Sequence, residues 1–132
     1  MQYGVVYHFV PHNKINGTLF YCFEYCQMLR QCVDAQLYIV GITPNDLALV
    51  HAILSAKYCV PITNIVPVRR SIDLYQLKLD KTLILDINTF TKTKEFLTNE
   101  IVCFSNIRHP MFRYKNDRIV TYFGSYAYQD YD

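Results

Sequence analysis

An α/β domain built on an open, mainly parallel sheet of five or six strands is the fold class this sequence predicts, and three observations predict it. Segments rich in β-branched and aromatic residues alternate with helical patterns along the chain, which is the pattern of β–α–β units. Two strand segments, residues 5–10 and 83–87, are apolar on both faces. Only a strand covered on both sides tolerates that. The 132 residues, 52% hydrophobic and 18% charged, suffice for one core and exclude a disordered chain.

The elements follow in order. Val5-Val6-Tyr7-His8-Phe9-Val10 reads as the first strand, closed by Pro11. Residues 11–17 are polar and turn-like. A helix reads from Thr18 to about Cys32, because Leu19, Cys22, Phe23, Cys26, Leu29 and Val33 recur at spacings of three and four. Asn16 or Thr18 caps its first turn. Residues 36–42 form the second strand. Thr43-Pro44-Asn45-Asp46 then opens a helix: a hydroxyl cap, a proline at the first helical position and an acid near the positive helix end. That helix carries Leu47, Val50, Leu54 and Ala56 and ends near Tyr58. A short strand follows at 63–68, a helical turn at 71–77 and a fourth strand at 82–87. Thr89 is the expected cap of a short helix through Leu97. Residues 100–105 and 118–123 are the fifth and sixth strands. Right-handed crossovers favour the order 3-2-1-4-5-6, a single Rossmann-like three-layer domain.

In such a sheet ligands bind beyond the carboxyl ends of the strands, near the point where strands one and four diverge. That rule selects His12, Asn13, Asn16 and Gly17 from the first loop, Arg69 and Arg70 after strand three, Asp86 and Asn88 after strand four, and Ser105 and Asn106 after strand five. Gly17 stands where a helix begins, so backbone N–H groups can approach a ligand there; a plain turn ahead of the helix is the other reading. His12 is either a ligand-edge donor or a solvated loop residue. Arg69-Arg70 is either a phosphate contact or solvated surface. His8 reads as a packed core residue. An acidic pair after the first strand, which a phosphate-accepting aspartate requires, is missing, so Asp86 reads as a cap or a loop hydrogen-bond partner.

Other chemistries are set aside on motif grounds. G-x-G-x-x-G and G-x-x-x-x-G-K-[ST] are both missing, so no nucleotide cofactor is expected. Cys22 and Cys26 lie one helical turn apart, but no second ligand pair accompanies them. All five cysteines read as buried free thiols, and an odd number with no secretory leader points to a reducing cytoplasm. No apolar run approaches the ~20 residues of a membrane span. The basic-aromatic stretch 112–118 suits single-stranded nucleic acid in pattern. A net charge of +2 argues against that partner. Richness in Ile, Tyr, Asn and Lys suggests an AT-rich coding sequence, as in viruses and small-genome microbes.

The layout resembles the N-terminal half of GT-B glycosyltransferases. The first strand, Asn16-Gly17 in place of their glycine-rich turn, the helix containing Phe20-Tyr21-Cys22-Phe23-Glu24-Tyr25, and the later strands Leu83-Ile84-Leu85-Asp86 and Ile101-Val102-Cys103-Phe104-Ser105-Asn106 carry the likeness. The resemblance implies an acceptor-side domain that binds a sugar or glycan acceptor and is inactive without a donor-binding C-terminal domain. The alternative is a non-catalytic Rossmann-like binding module. The tail, with Tyr122, Tyr126, Tyr128 and Tyr131, is expected to cover that second domain or a second copy of the chain in a homodimer.

Overall fold

The computed structural model describes residues 1–105 and 119–123. Six strands form one sheet: β1 (Gln2–His8), β2 (Asp34–Val40), β3 (Ile65–Val68), β4 (Lys81–Ile84), β5 (Glu100–Ser105) and β6 (Ile119–Phe123). Their order is β3-β2-β1-β4-β5-β6. Every neighbouring pair is parallel. This is the expected Rossmann-like sheet, with its two apolar strands side by side at the centre and Val5 opposite Leu83.

Helices α1 (Gly17–Leu29) and α2 (Pro44–Tyr58) cover one face, and α3 (Ile87–Thr93) with two 3₁₀ turns (Ser71–Gln76 and Lys94–Phe96) covers the other. The alternation of β1 divides its side chains between two cores. Val5, Tyr7 and Phe9 pack with Leu19, Cys22, Phe23 and Cys26 of α1 and Val50 and Leu54 of α2. Val6 packs with Tyr38, Leu74, Ile84, Phe90 and Leu97 on the opposite side. Each large side chain buried this way contributes about 1.5–3 kcal/mol relative to exposure.

Several boundaries differ from the sequence reading. β1 begins at Gln2, because its ladder with β2 starts at Gln2–Asp34, and it ends at His8. Phe9 N–H still donates to Val40 O at 2.9 Å, and the Val10 carbonyl then accepts from Asn13 N–H in a turn. α1 stops at Leu29, where the N–H groups of Cys32 and Val33 both donate to the Leu29 carbonyl. β4 ends at Ile84, since the chain turns at Asp86 into α3.

The cap of α3 is Asp86, not Thr89. The Asp86 carboxylate accepts from Thr89 N–H at 3.0 Å, and Thr89 lies buried inside the helix. The strong start signal of α2 holds: Thr43 accepts from Asp46 N–H, with Pro44 at the first position. Ala56 is exposed rather than part of the packed stripe of α2. All five cysteines are free, but only Cys22, Cys26 and Cys103 are buried; Cys32 and Cys59 are exposed. Cys32 follows the end of α1, and Cys59 is the left-handed residue that ends α2, so both lie at helix ends rather than within a packed stripe. Among the described residues no helix is long and apolar enough to cross a membrane. Asn106, the stretch 106–118 and the tail tyrosines 126, 128 and 131 lie outside the described residues.

Candidate functional site

At the switch point between strands one and four, the place where the strand order predicts a ligand crevice, β1 is held unequally on its two sides. β2 pairs with it along its whole length, from Gln2 to His8. β4 pairs with it only from Tyr3 to Val5. Beyond Val5 the two strands separate, and the N-terminus of α3 closes the gap: the Thr89 hydroxyl accepts from His8 N–H at 2.9 Å.

On the α1 side, Asn16 organises the first loop. Its Oδ1 caps α1 by accepting from Leu19 N–H at 2.9 Å. Its Nδ2 donates to the Tyr7 hydroxyl at 2.8 Å and to the Asn13 carbonyl at 2.9 Å. Lys14 ties the same loop to the start of α2 through Asp46 at 3.0 Å. The loop is therefore anchored at two helix N-termini. His12 and Asn13 are exposed on its outer surface. Gly17 is exposed too, and a Cβ built on it would meet nothing within 4 Å. Open space thus faces the first turn of α1, and no steric demand of the protein explains the glycine.

Tyr7 is buried, and burial pushes its hydroxyl pKa up to about 12. It stays a neutral hydrogen-bonding group at any ordinary pH. Burial likewise drives the Cys22 thiol well above its usual range, with the Asp86 charge adding to it. Cys22 is consequently inert as a nucleophile.

On the α3 side, His8 alternates with Tyr7 and is half-buried, contrary to the expectation of a packed core residue. It is the last residue of β1. Its Nδ1 lies 3.2 Å from the Phe9 carbonyl. Burial, and next the charge of Lys92, hold its pKa below the ordinary value. Gly41, at φ 79, follows β2 beside the ring. Asp86 lies between the two sides. One oxygen caps α3, and the other, Oδ1, is buried without a hydrogen-bond partner among the described residues. Asn88 follows in the first turn of α3, half-buried, its carbonyl accepting from the Thr91 hydroxyl.

Of the predicted residues, Asn16 reaches Tyr7 near the end of β1 from the α1 side, and Asp86 and Asn88 open α3, whose Thr89 holds the neighbouring His8; Gly17 follows Asn16, and His12 and Asn13 lie on the exposed loop. Arg69 and Arg70 do not join them. They follow β3, two strands from β1, which at ~4.8 Å per strand is about 10 Å away. Arg70 is also turned to Asp73, which accepts its backbone N–H at 3.1 Å and stands 3.4 Å from its guanidinium. Ser105 ends β5, one strand beyond β4. Tyr7, His8, Gly41, Thr89 and Lys92 are the crevice residues the sequence reading missed. The available signal was the pair of polar tips, Tyr7 and His8, directly after Val5-Val6 at the carboxyl end of the strand. No group of three or more metal-ligating side chains occurs among the described residues. No family model, curated protein or solved structure matches the chain.

Proposed function

We propose that this chain is the acceptor-side domain of a glycosyltransferase of GT-B layout. It holds a sugar or glycan acceptor at the carboxyl edge of its sheet, while a second domain brings the sugar nucleotide. The observation that carries this reading is the chemistry of the crevice. His8, Asn13 and Asn88 offer neutral donors and acceptors, Asn16 orders the loop that carries Asn13, and the Asp86 carboxylate caps a helix. A few well-placed neutral polar groups suit recognition of hydroxyls, and a site built to hydrogen-bond an O–H rejects analogues lacking it. The fold alone hosts many activities, so the weight rests on the site. The exposed free thiols Cys32 and Cys59 suit a reducing cytoplasm.

The reading is tested on immobilised glycans. The wild-type chain is expected to bind a defined subset of them, and an Asn16→Ala variant to lose that binding. The isolated chain is expected to transfer nothing from UDP- or GDP-sugars. Transfer by the chain alone, or no glycan binding at all, contradicts the proposal.

A non-catalytic binding module is the second reading, favoured by one observation. Asp86 has one oxygen engaged by Thr89 and the other enclosed, so it is not free to take a proton from an acceptor hydroxyl. Glycan binding that persists without transfer when a donor-binding domain is supplied selects this alternative.

A further inference from the structure

Among the groups at the crevice, His8 has a ring whose hydrogen-bonding sense is fixed by its neighbour. Nδ1 lies 3.2 Å from the Phe9 carbonyl. A carbonyl oxygen only accepts, so in the neutral imidazole Nδ1 carries the hydrogen and Nε2 keeps a lone pair. Among the described residues no donor engages Nε2. Gly41, just after β2, flanks the ring: a Cβ built on it would already touch it, 3.9 Å from Nε2 and 3.7 Å from Cε1, so any side chain beyond alanine would crowd the half-buried imidazole.

The charged groups near the ring are Lys92 of α3 and Asp86 of the preceding turn. Burial and Lys92 disfavour the imidazolium, while the Phe9 carbonyl and Asp86 oppose them more weakly. At neutral pH the ring therefore presents an acceptor and no charge.

We propose that His8 Nε2 is a specificity-determining acceptor of this crevice, which takes a hydrogen bond from an O–H or N–H of the ligand and turns away fully deprotonated oxyanions. The proposal deepens the acceptor-domain reading and rests on it for the identity of the donor, a carbohydrate hydroxyl. Oxyanions present only lone pairs to Nε2. Bringing one there at neutral pH leaves two acceptors facing each other with no shared proton.

Long-range ¹H–¹⁵N correlation NMR on the full chain tests it, at about pH 7.5, above the ordinary histidine range. The His8 ring is expected to show a protonated Nδ1 and a bare Nε2. Binding members of a panel of methyl glycosides are expected to shift Nε2, and their permethylated counterparts to leave it unmoved. His8→Phe, which keeps a ring but removes the acceptor, is expected to weaken glycoside binding about tenfold, the equivalent of one hydrogen bond. A hydrogen on Nε2 overturns the proposal, whatever binds. So does a panel that moves crevice amides but never Nε2, although the acceptor-domain reading then stands. If ethylene glycol moves a bare Nε2 and no glycoside does, the role of His8 stands and the glycan reading falls. If none of these probes moves Nε2 or any amide of the crevice, both fall.

Discussion

Cys59 ends α2 with φ 55, a left-handed conformation that a side chain with a Cβ adopts at a cost of ~1–2 kcal/mol. Its thiol is exposed and lies 3.7 Å from the Ala56 carbonyl, a weak contact. Cys59→Gly is therefore expected to raise the unfolding free energy by about 1 kcal/mol, read as a higher urea midpoint at unchanged slope. His8 gives a second prediction at this scale. Its folded-state pKa lies below that of the unfolded chain, so between the two values the unfolded state binds more protons. Its contribution to stability is whole above about pH 6.5 and is lost as pH falls from there toward the folded value. Urea midpoints measured from pH 8 down to about 5 should fall more steeply for wild type than for His8→Gln in that window. Matching curves would refute the assignment. This residue was illegible in the sequence for a physical reason: burial on both faces predicts an enclosed imidazole, and only the early end of the strand brings it to the edge.

At the scale of the element, the helix starts determine how the crevice is built. Asn16 acts through two chemistries, since its oxygen caps α1 and its nitrogen holds the Tyr7 hydroxyl and the Asn13 carbonyl. Asn16→Ala removes both and is expected to cost about 2 kcal/mol. Asn16→Asp keeps the cap acceptor and loses the donors, so it is expected to cost about half as much while releasing the first loop. Denaturant unfolding of the pair checks the order, and an equal loss in both variants would contradict it. Local chemistry made some of these starts readable. Thr43-Pro44-Asn45-Asp46 carries a hydroxyl cap, a proline and an acid in register, and the helix begins there. Asp86 and Thr89 are both cap-type residues three apart, so sequence alone does not choose between them. The hydrogen bond from Thr89 N–H to Asp86 does. Thr89, displaced from that role, holds His8 N–H and thereby the end of β1.

At the scale of the whole molecule, the alternation of apolar strands and helical stripes was enough to derive the strand order, because right-handed crossovers leave few alternatives. That order in turn put the loop of Asn16 and Gly17 after β1 and the turn of Asp86 and Asn88 after β4, its neighbour in the sheet. Arg69 and Arg70 were drawn to the same edge by the same rule, yet lateral distance along the sheet separates them from those two segments, and Arg70 finds Asp73 instead. Which side chains turn inward at a sheet edge depends on where each ladder stops. β1 and β4 part after Val5, a length that no apolar run announces. The central claim is that ligand binding occurs at this parting of β1 and β4. Amide chemical-shift mapping during titration with a glycan that the chain binds tests it most directly. The shifts are expected to concentrate on His8, Asn13, Asn16, Gly17, Gly41, Asp86 and Asn88. Shifts centred on the opposite edge of the sheet, around Gln2, Asp34, Asp80 and Asn99, would contradict it.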